Sequence, residues 1–207
     1  NRQKDSSLKE IVLSEEQQSA CDSLYNEYDS PFPSVSLLYG VTGSGKTSVF
    51  IKLIEKVIDD GKGIIVMVPE ISLTPQFVSQ FAKRFGDKIA VFHSALSLGE
   101  RLDEYKRVKQ GLAQIVIGTR SAVFAPFDKV GLIIMDEEQE YSYKSESSPR
   151  YHAREIAKFR CSYNNALLVL SSATPSIETY YYAQTGRYSL NTLSARYGKA
   201  VLPEVVV

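Results

Sequence analysis

The chain has 207 residues, and 24 Lys and Arg balance 24 Asp and Glu, so the formal net charge is zero. The 43% hydrophobic and 23% charged residues exclude a disordered or fibrous protein. The neutral balance excludes nucleic-acid binding through a uniformly basic surface, although a local basic face stays open. Cys21 and Cys161 are too few for a disulfide framework or a four-thiolate zinc site, which predicts a reducing compartment.

The pattern along the chain predicts an α/β domain. Amphipathic stretches predict helices at 15–28, 46–59, 75–85, 99–109, 151–163 and 176–184. Short apolar runs predict strands at 35–39, 63–68, 89–92, 115–117, 132–135 and 166–170. Their alternation predicts a three-layer sandwich with a mainly parallel sheet. In the first helix, Ser14 is the expected N-cap, and Gln17 is placed one residue short of the capping-box position.

The same pattern sets the expected domain organisation. Residues 1–12 are expected to be a disordered or linker start, residues 13–199 one folded domain, and residues 200–207 an extended tail. Residues 139–149 have no clear period and are expected to form a functional loop. The sequence contains no apolar run near the roughly 18 residues of a membrane helix and no signal-peptide pattern, which predicts a cytoplasmic protein.

The most specific motif is Gly40-Val-Thr-Gly-Ser-Gly-Lys-Thr47, which matches the phosphate-binding pattern G-x-x-x-x-G-K-[ST] between a strand and a helix. Glycines let several backbone N–H groups point at one phosphate, Lys46 adds a positive charge, and Thr47 offers a hydroxyl to Mg²⁺. The alternative is a glycine-rich turn without a ligand. The predicted nucleotide contacts are Gly40, Thr42, Gly43, Ser44, Gly45, Lys46 and Thr47.

A second motif, Asp136-Glu137-Glu138-Gln139, follows the apolar run at 132–135. Ligands of open α/β sheets bind outside the carboxyl ends of the strands, where these acids are expected to lie. Asp136 is predicted to hold Mg²⁺, and Glu137 to orient and deprotonate the attacking water. The alternative is a solvated acidic turn.

Together with Ser172-Ala-Thr174, these motifs resemble the superfamily-two helicases. The segments at 68–76, 118–127 and 143–154 narrow the resemblance to the PriA family (primosomal protein N′) of bacterial replication-restart helicases. The resemblance covers the chain from about Leu13 onwards and implies a RecA-like P-loop NTPase lobe, the first of two. It implies an ATP- and Mg²⁺-dependent 3′–5′ DNA helicase, with zinc bound only by another part of the whole protein. The isolated lobe is expected to bind nucleotide without unwinding DNA.

The resemblance also implies partners and residue roles. The partners are single-stranded and forked DNA, primosome proteins and single-strand-binding protein, with no membrane. Gln17 is expected near the adenine, with a solvated helix-start residue as the alternative. Thr174 is expected to couple ATP to DNA, with a helix N-cap as the alternative. The family usually has His where this chain has Gln139, an amide that cannot become charged but could bond to Ser172 or Thr174.

Two segments are the candidate DNA contacts. Thr119 and Arg120 follow a predicted strand and can bind phosphates, although Arg120 is alternatively a salt-bridged structural residue. The segment at 141–154 interleaves aromatic and basic residues, which suits base stacking and phosphate neutralisation on single strands. Its candidate contacts are Tyr143, Lys144, Arg150 and Tyr151. The alternative is that Tyr151 and Arg154 begin the next helix and pack down. The rival function is a P-loop ATPase module of a non-helicase DNA translocase or remodelling factor.

Overall fold

The computed structural model describes residues 11–195. Within them the chain forms the helices α1 (Glu15–Tyr28), α2 (Lys46–Ile58), α3 (Pro75–Phe85), α4 (Leu98–Lys109), α5 (Ala153–Asn164) and α6 (Ile177–Gln184). The strands are β1 (Ser34–Gly40), β2 (Gly63–Met67), β3 (Ile89–Phe92), β4 (Ile115–Gly118), β5 (Val130–Asp136), β6 (Lys144–Ser145), β7 (Tyr151–His152), β8 (Leu167–Ser172) and β9 (Ser189–Leu193). The expected tail at 200–207 and positions 1–10 of the expected linker lie outside the described residues.

Seven strands form one sheet in the order β3-β4-β2-β5-β8-β1-β9, and each neighbouring pair is parallel. Successive side chains of a strand point to opposite faces of the sheet. In β2, Ile64 and Val66 join the core formed with α1, α2 and α3, whereas Ile65 and Met67 join the core that contains residues of α4, α5 and α6. The predicted three-layer α/β fold with a parallel sheet is confirmed.

The structure contains strands that the sequence pattern does not predict. In β9, which lies at the edge of the sheet, only Asn191 and Leu193 are buried, so the strand has no apolar run to detect. The segment expected to be an irregular loop contains a 3₁₀ turn at Tyr141–Tyr143 and most of the short antiparallel β6–β7 hairpin. As a result, α5 begins at Ala153, two residues later than expected.

One capping expectation is wrong, and one capping alternative is not supported. Gln17 is at the third helical position of α1, and its backbone N–H donates to Ser14 Oγ at 3.3 Å. Its side-chain Oε1 accepts from the Ser14 N–H at 2.9 Å, so Ser14 and Gln17 form a complete capping box. Thr174 is not the N-cap of α6, because Ser176 holds that position and its hydroxyl accepts from the N–H of Thr179.

Candidate nucleotide site and DNA-facing pocket

The two sequence motifs meet at the carboxyl edge of the sheet. The phosphate-binding loop leaves the end of β1, and the acidic motif begins at the end of β5. Strand β8 lies between them and ends at Ser172, the first residue of the Ser-Ala-Thr motif. Because parallel strands bring their carboxyl ends to the same edge, the three segments form one candidate site.

The phosphate-binding loop has the backbone that anion binding needs. Gly43 and Gly45 have φ values of 80° and 81°, a region that residues with a side chain rarely adopt. Gly45 is the N-cap of α2, so the positive end of that helix faces the loop. Lys46 is 9% exposed, and its Nζ donates to the carbonyl of Gly40 at 2.8 Å. Thr42 is exposed and Thr47 is half-buried in the first turn of α2.

Gln17 connects α1 to this loop. The side chain is buried, and its Nε2 donates to the carbonyl of Ser44 at 2.8 Å. Its Oε1 is engaged by Ser14 in the capping box, so the amide bridges the helix start and the loop. The predicted contact of Gln17 with the adenine stays a prediction. The structure adds a positioning role, which no local pattern indicates because Ser44 lies 27 positions away.

The carboxylates of Asp136 and Glu137, in the acidic motif, have different hydrogen-bond partners. Asp136 Oδ1 accepts from Ser171 Oγ at 2.8 Å, and burial raises the pKa of Asp136 above its ordinary value. Glu137 has φ 47°, a left-handed conformation that costs a residue with a side chain about 1–3 kcal/mol. Gln139 Nε2 donates to Glu137 Oε2 at 3.0 Å and so orients that carboxylate.

Gln139 connects the acidic motif to the Ser-Ala-Thr motif. Its Oε1 accepts from Ser172 Oγ at 2.6 Å, and Ser172 Oγ in turn accepts from the N–H of Thr174 at 2.8 Å. The predicted bond to Ser172 is confirmed, whereas Thr174 is reached through Ser172 rather than directly. A neutral amide can make this bridge because it both donates and accepts.

The residues present fit a magnesium nucleotide. Ser44 Oγ is buried in the loop without a hydrogen-bond partner among the described residues, as suits an atom that faces a ligand. Thr47 and Asp136 are oxygen donors of the kind that Mg²⁺ prefers. No group of three or more His, Cys, Asp or Glu side chains in residues 11–195 is arranged to hold a metal ion. A Mg²⁺ site completed by phosphates does not require such a group.

A cavity of about 500 Å³ lies on the other half of the same edge, beyond β2, β3 and β4. It combines donors with aromatic walls, a composition that suits a nucleotide segment. Among its lining residues are Glu70, His93, Arg101, Thr119, Arg120 and Tyr151. The structure therefore places the predicted contacts Thr119, Arg120 and Tyr151 in one pocket.

Arg120 is held by backbone carbonyls rather than by a carboxylate. Its Nη1 donates to the carbonyls of Ser142 and Lys144, and the guanidinium carbon lies 5.9 Å from the centre of the Tyr151 ring. Within residues 11–195 it forms no ion pair, so the alternative of a salt-bridged structural arginine is not supported. Its positive charge remains available to an anion.

The other candidate DNA contacts lie in or next to the β6–β7 hairpin and differ in their exposure. Lys144 and Arg150 are exposed. Tyr151 is half-buried, and its ring packs edge-on against the ring of Phe124 with 5.0 Å between the ring centres. Tyr143 is only 1% exposed, and its hydroxyl donates to the carbonyl of Asp136 at 2.6 Å. The expectation that Tyr143 offers a stacking surface is wrong, because the pattern of aromatic and basic residues does not reveal which rings face the core.

Arg154 and Glu138 form a buried pair that the sequence analysis does not predict. The Arg154 side chain is 12% exposed and the Glu138 side chain 0%, and their charged atoms are 2.9 Å apart. The alternative that Arg154 packs down at the start of a helix is confirmed. The sequence shows Glu138 as the third acid of the run that begins at Asp136, but no neighbouring residue indicates that Arg154 is its partner.

Comparison with known proteins agrees with this geometry. A family model described as DEAD/DEAH box helicase matches residues 14–181. The chain belongs to the DEAD/DEAH box helicase family. Its curated relatives include the replication restart protein PriA of Bacillus subtilis, 50% identical over 195 residues that make up 94% of this chain and 24% of the relative. The PriA protein of Treponema pallidum is 48% identical over 82% of this chain and 26% of its own length. The chain thus spans about a quarter of these relatives.

A solved structure supports the fold. RecG bound to a three-way DNA junction matches with a TM-score of 0.67 and 23% identity, over 92% of this chain and 25% of RecG. At this identity the match shows the fold alone, which is that of a helicase lobe. None of the helices in the described part of the chain has both the length and the apolar character to cross a membrane.

Proposed function

We propose that this chain is the ATP-binding lobe of a 3′–5′ DNA helicase that restarts stalled replication forks. The observation that carries the proposal is the hydrogen-bonded path from Glu137 through Gln139 to Ser172. The path lies at the edge that the phosphate-binding loop shares with the cavity lined by Thr119, Arg120 and Tyr151, here called the DNA-facing pocket. This path joins a hydrolysis residue to the motif that follows β8. A module that only bound nucleotide would have no need of it.

The residues divide the work of ATP hydrolysis. The N–H groups of the loop, the N-terminal end of α2 and Lys46 bind the phosphates. Thr47 and Asp136 would hold Mg²⁺, which when bound would supply positive charge to the phosphate oxygens. Glu137 orients the attacking water and accepts its proton, while Gln139 keeps the Glu137 carboxylate in place. Gln17 fixes the loop from the side of α1.

The DNA-facing pocket supplies contacts that do not depend on sequence. Thr119, Arg120, Lys144 and Arg150 bind phosphates, and Tyr151 offers a ring to a base. Thr174 then transmits the state of the site through Ser172. The whole protein acts on single-stranded and forked DNA in the cytoplasm at the nucleoid. It works with primosome proteins and single-strand-binding protein, and its zinc lies outside this lobe.

The experiment compares ATP hydrolysis and strand displacement by the full-length protein with and without single-stranded DNA. The double substitution Arg120→Ala with Tyr151→Ala is expected to reduce DNA stimulation about tenfold, since one stacked base is worth roughly 1–3 kcal/mol. The matched control is Arg187→Ala with Tyr182→Ala, an arginine–tyrosine pair 4.4 Å apart that lies outside the pocket, and it leaves stimulation unchanged. A wild-type ATPase that ignores DNA would favour the non-helicase ATPase instead. Unwinding by the isolated 207-residue chain would contradict the proposal.

A further inference from the structure

The side chain of Glu138 is a buried junction next to the hydrolysis residue. It is 0% exposed and accepts four hydrogen bonds. The donors are the N–H of Ser176 at 2.6 Å, Ser176 Oγ at 3.2 Å, Thr179 Oγ1 at 3.1 Å and Arg154 Nη1 at 2.9 Å. A buried carboxylate requires such complete pairing, because an unpaired charge in the interior is costly.

Arg154 binds the same group of residues from the other side. Its Nη1 also donates to Ser176 Oγ at 3.0 Å and to Thr179 Oγ1 at 3.1 Å. Its Nη2 donates to Glu178 Oε2 at 2.9 Å. The guanidinium therefore holds both Glu138 and the first turn of α6.

The junction joins three segments of the site. Glu138 is adjacent in sequence to Glu137, and its N–H donates to the carbonyl of Ser171 at 3.0 Å. Arg154 lies in the first turn of α5, directly after the β6–β7 hairpin that carries Tyr151. Ser176 caps α6, which follows the Ser-Ala-Thr motif. These bonds therefore connect the start of α5, directly after the hairpin, to the residue next to Glu137.

We propose that Glu138 and Arg154 are positioning residues that relay the position of the β6–β7 hairpin to Glu137 during DNA-stimulated ATP hydrolysis. The inference rests on the proposed function, because it requires that DNA reaches the hairpin. It differs from the Gln139–Ser172 path, in which Gln139 is half-buried and Ser172 buried, and whose hydrogen bonds run to Glu137 and Thr174 rather than to the hairpin. The competing explanation is a buried ion pair that only stabilises the fold.

The test uses the full-length protein with Arg154→Met, Arg154→Lys and Glu138→Gln, alone and combined. Arg154→Met is expected to lower the DNA-stimulated kcat about tenfold more than the basal kcat, while the KM for ATP is unchanged. The KM is unaffected because no bond of the junction reaches the phosphate-binding loop. Arg154→Lys keeps the charge next to Glu138 and restores part of the stimulation. The double variant Glu138→Gln with Arg154→Met should lose no more DNA stimulation than the more damaging single variant, because both substitutions break the same connection.

Two controls separate the relay from stability. Lys158→Met changes a partly buried cation on the same helix that pairs with Glu155 and lies outside the junction, so stimulation is unchanged. Glu178→Gln removes only the outer bond of Arg154, keeps the protein folded and causes a partial loss. Equal loss of basal and stimulated kcat in Arg154→Met, or full stimulation in every variant, would overturn the relay. A wild-type enzyme without DNA stimulation would instead overturn the proposed function.

Discussion

At the carboxyl edge of the sheet, the nucleotide half and the DNA-facing half hold their residues by different means. Beyond β1, β5 and β8, glycine conformations and buried amides such as that of Gln17 fix the site. Beyond β2, β3 and β4, Arg120 crosses the surface to reach the carbonyls of Ser142 and Lys144. The nucleotide half is therefore preorganised by backbone geometry. The DNA-facing half is held by side chains such as Arg120, which can donate to a phosphate in place of a backbone carbonyl.

This difference predicts how substitutions should act. A change in the nucleotide half removes a defined step, because few groups there can replace one another. A change in the DNA-facing half should have a smaller effect, because several other weak contacts remain.

Glu137→Gln has the largest expected effect. Loss of the proposed general base is expected to lower the kcat of ATP hydrolysis by roughly 10²–10⁴-fold, while nucleotide affinity is retained because Lys46 and the loop are intact. Phosphate release measures the rate, and a fluorescent ADP analogue measures binding. A fall of less than about tenfold would show that another group activates the water.

Lys46→Ala should weaken nucleotide binding about 10–100-fold, since a hydrogen bond to a charged group is worth roughly 1.5–3 kcal/mol. The affinity for single-stranded DNA without nucleotide should not change, because the pocket lies on the other half of the edge. Lys56→Ala is the matched control, since this exposed cation on the same helix pairs with Asp29. Equal loss in both variants would contradict a specific phosphate contact.

Gln139→Ala should reduce DNA-stimulated hydrolysis by roughly two- to tenfold, because it breaks the bridge between Glu137 and Ser172. Gln139→His can keep one bond and adds a group with an ordinary pKa of about 6.5. That variant should therefore show a pH dependence between about pH 5.5 and 7.5 in addition to that of the wild-type chain. Superimposable pH profiles would show that residue 139 does not contact the reacting groups.

Tyr143→Phe should reduce the free energy of unfolding by about 0.5–1.5 kcal/mol, because the bond to the carbonyl of Asp136 is lost. DNA affinity should be unchanged. Tyr141→Phe is the control, since the exposed Tyr141 hydroxyl bonds only to Glu146 among the described residues. Urea unfolding measures both variants. Weaker DNA binding in Tyr143→Phe at unchanged stability would return Tyr143 to the DNA-facing half.

The smallest expected effect concerns the two cysteines. Burial raises the pKa values of Cys21 and Cys161 to about 12, so both thiols are neutral near pH 8. Each lies in one of the two cores, on α1 and α5 respectively. A thiol reagent should modify neither residue in the native protein and both after unfolding. Rapid native labelling of Cys161 alone would show that the helices next to the hairpin open more readily.

The parts that the sequence predicts are those whose chemistry is local. Gly43, Gly45 and Lys46 lie within four positions, and their residue types alone require the loop geometry. Arg154 and Glu138 are 16 positions apart, and only the crossing of α5 and β5 brings them together. The burial of Tyr143 is not predictable for the same reason, because it depends on packing against the end of β5 rather than on its neighbours in sequence.

The left-handed backbone of Glu137 has a consequence for evolution in the laboratory. Glycine adopts φ 47° without steric cost, so Glu137→Gly relieves local strain and removes the carboxylate at once. Selection of variants for heat resistance alone would therefore enrich a residue that lacks the carboxylate we propose as the general base. Any thermostable version of this lobe has to be screened for turnover in parallel, because at this position thermal tolerance and activity favour different amino acids.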